Sequence, residues 1–324
     1  MALIIEQLQP KLVAQFAQII TKQHLAQGYL FAGPAGSGKY ELAQWLAMSQ
    51  FCHHLEQGRP CGQCSECRRI QQGNHPDVIQ IKPDNQTIKV ESIRYLKSEL
   101  YKSGMEGNRR VFIVTDAEKM SVNASNSLLK FLEEPASDAL IVLTTTAKSQ
   151  ILPTILSRMQ IIDFRGLSKQ TVYQNFLTQG SAPENAQLAA LLTQDYQQAK
   201  AWQESAAFNQ LLTAVVKWLL KIFKHDDEAF IYVQTLIMAA TKTTEDQQLA
   251  LSMIINFYDF LLQVRYDKKE IMNTSLQQLF EAAQHETVEE LADQLNLVLD
   301  MSRQLRMNVG FENFLEALTL RLLK

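Results

Sequence analysis

The first half of the chain alternates short, densely apolar runs with longer stretches in which apolar residues recur every three or four positions. The apolar runs are Gly28–Ala32, Val78–Ile81 and residues 111–114, 140–143 and 160–164. Each has the length of a strand. Three are almost unbroken in apolar character, which predicts strands covered by helices on both faces. Helix-period patterns fill the gaps at Lys39–Phe51, 90–102 and Val122–Glu133. Alternation of this kind predicts an α/β domain with a mainly parallel sheet.

Beyond Arg165-Gly166-Leu167-Ser168 the strand pattern stops. Ser168 is expected to cap a helix running to about Leu177, and Ser181-Ala182-Pro183-Glu184 opens another. From about Ala206 to Lys324 the pattern is that of several amphipathic helices, with Trp218, Phe223, Phe257, Phe260 and Leu261 expected in their core. The predicted organisation is an α/β domain over 1–164, a small helical domain over 165–205 and an all-α domain over 206–324.

Composition changes this picture little. The chain has 324 residues, 46% hydrophobic and 20% charged, as in ordinary globular proteins. No apolar run reaches membrane-spanning length and Met1-Ala2-Leu3 lacks a signal-peptide pattern, so a cytoplasmic location is expected. The net charge of −3 excludes a global basic field. Residues 1–164 carry 17 Lys and Arg against 15 Asp and Glu, and the remainder carries 14 against 19. Contact with nucleic acid would therefore rest on local geometry or on partners. Arg94, Lys97, Arg109 and Arg110 are candidates for it, although a solvated surface explains them equally well.

All four cysteines fall between Cys52 and Cys67, in the spacing C-x8-C-x2-C-x2-C. Four thiolates close a tetrahedral Zn²⁺ site, and the two-residue gaps let neighbouring ligands converge. His53 and His54 are chemically competent ligands, but Cys52, Cys61, Cys64 and Cys67 already complete the shell. Such a closed site has no position for substrate, so the expected role of zinc is structural.

Gly33-Pro34-Ala35-Gly36-Ser37-Gly38-Lys39-Tyr40 follows a predicted strand and opens a predicted helix, the context that a phosphate loop requires. Gly33, Gly36, Ser37 and Gly38 would let backbone N–H groups approach phosphates, and Lys39 would place a charge on the outer ones. The next position normally supplies a Ser or Thr hydroxyl to Mg²⁺. Here it is Tyr40, whose phenol lies several ångströms further from the backbone. A second apolar run ends in Asp116, suited to the metal side of such a site. The water-polarising glutamate expected next is replaced by Ala117, and Glu118 is expected to point elsewhere. ATP and Mg²⁺ in the chain's own loop are therefore left open, with efficient hydrolysis not expected.

The run Ala124-Ser125-Asn126-Ser127-Leu128-Leu129-Lys130-Phe131-Leu132-Glu133-Glu134-Pro135 closely resembles the segment after the second ATPase motif in bacterial clamp-loader subunits of the AAA+ superfamily. Ile151-Leu152-Pro153-Thr154-Ile155-Leu156-Ser157-Arg158-Met159 resembles that family's Ser-Arg-Cys region, with Met159 for Cys, and the cysteine cluster also matches. The resemblance covers the first 165 residues; the helical remainder matches in length and class.

This resemblance implies an AAA+ core, a three-helix lid and a helical collar that joins five subunits into a ring. It implies as partners the delta and gamma or tau type subunits, the ring-shaped sliding clamp and primed DNA. Motor subunits of the family carry an intact phosphate loop and an Asp-Glu pair, from which Tyr40 and Ala117 depart. The lid arginine that senses the γ-phosphate aligns with Gln198, and the polar γ-phosphate contact at a strand end aligns with Thr145. Arg158 matches the arginine that reaches a neighbour's nucleotide. Two rival readings stay open: an active ATPase motor, and a zinc-stabilised DNA-binding module outside any loader.

Overall fold

The computed structural model describes residues 3–84, 87–100, 109–133, 139–267, 270–304 and 310–323. The chain divides into two compact units, Met1–Leu167 and Ser168–Lys324.

In the first unit, α1 (Ile4–Leu8) and α2 (Pro10–Thr21) precede β1 (Gly28–Ala32), α3 (Lys39–Phe51) and α4 (Ser65–Gln71). They are followed by β2 (Val78–Ile81), α5 (Val90–Leu100), β3 (Arg110–Val114) and α6 (Val122–Glu133). The unit ends with β4 (Ala139–Thr145), α7 (Pro153–Leu156) and β5 (Gln160–Asp163). The five expected strands all form, and every pairing is parallel, in the order β2-β3-β4-β1-β5.

Side-chain alternation sorts these strands into two cores. Tyr29, Phe31, Val111, Ile113, Leu140 and Val142 face α1, α2 and α3, where Trp45 and Phe16 are fully buried. Leu30, Phe112, Val114, Ile141 and Leu143 face the opposite layer, against Ile93, Leu96, Leu128 and Ile155. Strands covered on both faces cannot show a polar side, which is why their sequences read as unbroken apolar runs. The edge strand β5 has only partly buried and exposed positions. Strands β3 and β4 extend slightly beyond the expected runs, adding Arg110 to the first and Ala139, Thr144 and Thr145 to the second.

Ser168 caps α8 (Lys169–Thr178), its hydroxyl accepting from the Thr171 amide at 3.1 Å. Helix α9 (Pro183–Leu192) begins on its proline, and Asp195 caps α10 (Tyr196–Glu204). Then come α11 (Ala206–Ile222), α12 (Glu228–Tyr232), a π-helical turn at Val233–Met238 and α13 (Thr244–Asp267). Helices α14 (Thr274–Ala282), α15 (Val288–Gln304) and α16 (Phe311–Leu322) complete the unit. Its core holds the five expected side chains, Trp218, Phe223, Phe257, Phe260 and Leu261, all buried. Among the described residues, no helix is long and apolar enough to cross a membrane.

One hydrogen bond ties distant parts of this second core together. The Trp218 indole N–H on α11 donates to the Thr319 hydroxyl on α16 at 3.1 Å, with both side chains fully buried. Thr319→Val keeps the volume but strands the indole N–H, at a cost of about 1–3 kcal/mol. Urea unfolding is expected to show a lower midpoint for Thr319→Val in the native chain, and a smaller drop for the same change made in a Trp218→Phe background, where no indole N–H is left to orphan.

Candidate functional site

Because the sheet is parallel, the loops that leave β1, β3 and β4 emerge at one edge, where ligands bind in open α/β sheets. Ala32 pairs with Thr145, and the Gly33 amide donates to the Thr145 carbonyl at 3.1 Å. The phosphate loop is thereby anchored beside the end of β4. Gly38, just before α3, has φ +91°, and a Cβ there would lie 2.8 Å from Ile5 Cδ1. Only glycine fits that left-handed, crowded position.

Lys39 is the first residue of α3 and is 8% exposed. Its ammonium donates to the Gly33 carbonyl at 2.7 Å and the Pro34 carbonyl at 2.6 Å. Burial lowers its pKa, opposed by the nearby charges of Glu118, Asp116 and Glu41. The buried Ser37 hydroxyl donates to Pro34 O at 2.7 Å. The Gln9 amide donates to Ser37 O at 2.9 Å and to Arg165 O at 3.3 Å. Gly33, Gly36, Ser37, Gly38 and Lys39 thus lie in one strand–loop–helix turn.

Tyr40 points its hydroxyl away from that turn. Its Oη donates to Gln80 Oε1 on β2 at 2.8 Å and accepts from Gln44 Nε2 at 3.1 Å, and the Lys82 ammonium lies 5.3 Å from the ring centroid. Burial raises the pKa of the phenol, partly offset by the Gln80 hydrogen bond. Tyr40 therefore links α3 to β2.

Beyond β3, Thr115 follows the last strand residue, and its hydroxyl is 3.3 Å from Ile81 O. Asp116 stands in a left-handed turn (φ 51°, ψ 52°), with its carboxylate paired to Lys119 at 3.2 Å. Ala117 is buried. The turn at Asp116 brings Glu118 back over the end of β4, which corrects the expectation that it points elsewhere. Its Oε1 accepts from the Thr146 amide at 3.1 Å and the Thr146 hydroxyl at 2.5 Å. Burial opposes ionisation of Glu118, but the hydrogen bonds from Thr146 and Thr145 outweigh it and hold the carboxyl below its usual range. The fully buried Thr145 also accepts from the Ala147 amide at 3.1 Å. Periodicity could not reveal Glu118, because its position depends on one positive-φ residue.

Arg158 lies apart from this edge, in the turn after α7, and its side chain is 37% exposed. Its Nη2 donates to Glu133 Oε1 at 2.8 Å and its Nη1 to the Thr154 carbonyl at 3.0 Å. Glu134-Pro135, which ends the motif that includes Glu133, lies outside the described residues. Gln198, at the start of α10, accepts from the Thr193 hydroxyl at 2.6 Å.

The sulfurs of Cys52, Cys61, Cys64 and Cys67 all lie within 4.8 Å of one another. A Zn–S bond of ~2.3 Å sets tetrahedral sulfur spacings near 3.8 Å, so the set fits a structural zinc. Backbone amides support thiolate character: Cys61 N donates to Cys52 Sγ at 3.2 Å, and Cys64 N to Cys61 Sγ at 3.4 Å. Cys61 is drawn down to about 6, chiefly by the Gln63 amide, whereas burial pushes Cys67 up. Gly58, in the hairpin before Cys61, has φ +77°, and a Cβ there would strike Thr21 Oγ1 at 2.8 Å. The Arg59–Glu6 pair at 3.1 Å ties the same hairpin to α1. The cluster can hold a metal ion and packs onto the first two helices.

Of the basic candidates for nucleic-acid contact, Arg110 is 6% exposed and faces Asp77 at 3.8 Å, which removes it from the surface. Arg109 donates to Gln50 at 3.0 Å, Arg94 is exposed, and the Lys97 side chain lies outside those described.

Metal analysis of the purified chain is expected to give about one equivalent of zinc, and Cys64→Ser to lose it with a lower melting temperature. Zinc-free native protein would refute the assignment.

Residues 8–168 match the family described as DNA polymerase III, delta subunit. The chain is 33% identical over 319 residues to DNA polymerase III subunit delta' of Bacillus subtilis, covering 98% of this chain and 96% of that one. It is 37% identical over 147 residues to subunit delta' of Pseudomonas aeruginosa, which is 45% of each chain. It is also 32% identical over 153 residues to subunit tau of Bacillus subtilis, 47% of this chain and 27% of the other. With near full-length similarity added to its phosphate loop and motif runs, the chain belongs to the DNA polymerase III subunit delta' family.

Proposed function

We propose that this clamp-loader subunit is a stator-like member of its ring, which does not hydrolyse ATP efficiently and completes the ATPase site of a neighbour with Arg158. The observation that carries the reading is Tyr40. Where an active loop needs a short hydroxyl for Mg²⁺, this chain has a phenol committed to Gln80 and Gln44. Ala117 is buried and apolar beside Asp116, so the loop has no carboxylate at that position to polarise water. Gly33, Gly36, Ser37, Gly38, Lys39 and Asp116 then form a vestigial nucleotide site, whose turn fixes β1 against α3.

Arg158 supports the second half of the reading. It is partly exposed and keeps three of its five N–H groups free of the two hydrogen bonds described for it. A guanidinium supplied by a neighbouring subunit stabilises charge on a transferring phosphoryl group. In the complete assembly, residues 165–205 would act as the lid and 206–324 as the collar of a five-subunit ring with delta and gamma or tau type subunits. The ring would open the sliding clamp and set it on primed DNA, with the zinc centre holding the cysteine hairpin in shape.

Glu118 favours a second reading, an active motor, because it puts a charged carboxylate near Lys39. One pair of assays separates the two. For the stator reading, the isolated chain shows no Mg-dependent ATP hydrolysis that Lys39→Ala abolishes. In the reconstituted complex, Arg158→Ala leaves assembly intact but slows hydrolysis about 10³-fold or more at the site it completes. Lys39-dependent turnover by the isolated chain supports the motor instead, and unchanged complex turnover with Arg158→Ala removes the trans arginine.

A further inference from the structure

We propose that Glu133 is the positioning residue for Arg158, holding its guanidinium in the pose from which it reaches a neighbour's phosphate. The inference rests on the trans-arginine reading above and names the residue that makes it work.

The backbone beneath Arg158 is already fixed. Helix α7 is short, but Ile155 within it is fully buried in the same core as Leu128 of α6, and Leu132 and Leu156 pack at its border. The Arg158 amide closes the turn by donating to Ile155 O at 3.1 Å. What remains free is the long side chain, and a partly exposed arginine has many rotamers to lose before it can act. Two groups restrict it. The Thr154 carbonyl takes Nη1 at 3.0 Å, and the Glu133 carboxylate takes Nη2 at 2.8 Å. The first comes from the arginine's own turn; the second comes from α6 and is the one that sets direction.

Folding stability does not account for an acid at position 133. Glu133 is the last described residue of α6. It is also half exposed, so the pair adds little to folding. Its effect is on orientation. With the planar fork pinned at both Nη atoms, the unused N–H groups have a defined heading, and misplacement of a catalytic group by even an ångström can cost up to about 10²-fold in rate. The pairing acts on the direction of the guanidinium, so it bears on the turnover step rather than on binding of ATP by the neighbour.

The test is ATP hydrolysis by the reconstituted loader at saturating clamp and primed DNA, with kcat and KM for ATP measured for Glu133→Ala and Glu133→Gln. Each is measured in the native chain and again with Arg158→Ala, after assembly has been checked by gel filtration. Glu133→Ala is expected to lower kcat about tenfold at the completed site with KM unchanged. Glu133→Gln, which can still accept from Nη2, is expected to restore part of the rate. Neither is expected to add to the loss caused by Arg158→Ala. A kcat that is unchanged or raised by Glu133→Ala overturns the proposal, as does an equal loss with and without Arg158. If Arg158→Ala itself leaves turnover unchanged, the trans-arginine reading fails and this inference falls with it; if only the Glu133 variants are silent, the inference alone fails.

Discussion

The parallel pairing of β1 with β4 decides where every group of the candidate site can stand. It sets Ala32 opposite Thr145 and lets the Gly33 amide bond to the Thr145 carbonyl. From that point the phosphate loop must turn into α3, Lys39 must fall inside the turn, and the ends of β3 and β4 must lie beside it. Asp116 and Glu118 reach the same edge only because β3 is paired parallel to β4. The two apolar cores on either face lock this arrangement, since a one-residue slip would exchange the faces of a whole strand. The site's backbone can therefore persist without any nucleotide chemistry to preserve it.

What happens at one position then follows from size and reach. A Ser or Thr at residue 40 would sit over the loop; a tyrosine extends past it and finds Gln80 on β2. Tyr40 thereby links α3 to β2. Lys39 bonds to two loop carbonyls from inside the turn. Arg158 belongs to a different surface, held by Glu133 and Thr154. These are two separate chemistries: one loop that keeps its shape, and one cation that is presented outward.

Much of the fold was legible because buried parallel strands leave so clear a trace. The runs at Gly28–Ala32 and Val78–Ile81 and the helix Lys39–Phe51 have the boundaries that periodicity predicts, and α6 begins at Val122 as predicted. Ser168 and Pro183 mark helix starts by known cap chemistry. The cysteine spacing likewise encodes a convergence that the sulfur distances display. Glu118 was not legible, because its direction depends on a positive φ at Asp116, which no apolar pattern records. The Glu133–Arg158 pair spans 25 residues and two helices, so neither spacing nor propensity could indicate it. Arg110 shows the opposite error: a basic pair looks like surface until β3 extends to include one of its members.

The central claim is that this subunit's part in ATP chemistry lies at a neighbour's phosphate rather than at its own loop. The most direct measurement is an electron cryomicroscopy structure of the assembled loader with Mg²⁺ and a phosphoryl-transfer transition-state analogue. The account predicts the Arg158 guanidinium within hydrogen-bonding distance of the analogue in the adjacent subunit, and no Mg²⁺-bound triphosphate on Lys39. Mg²⁺ and analogue seated in the loop at residues 33–40, with Arg158 remote from any phosphate, would contradict it.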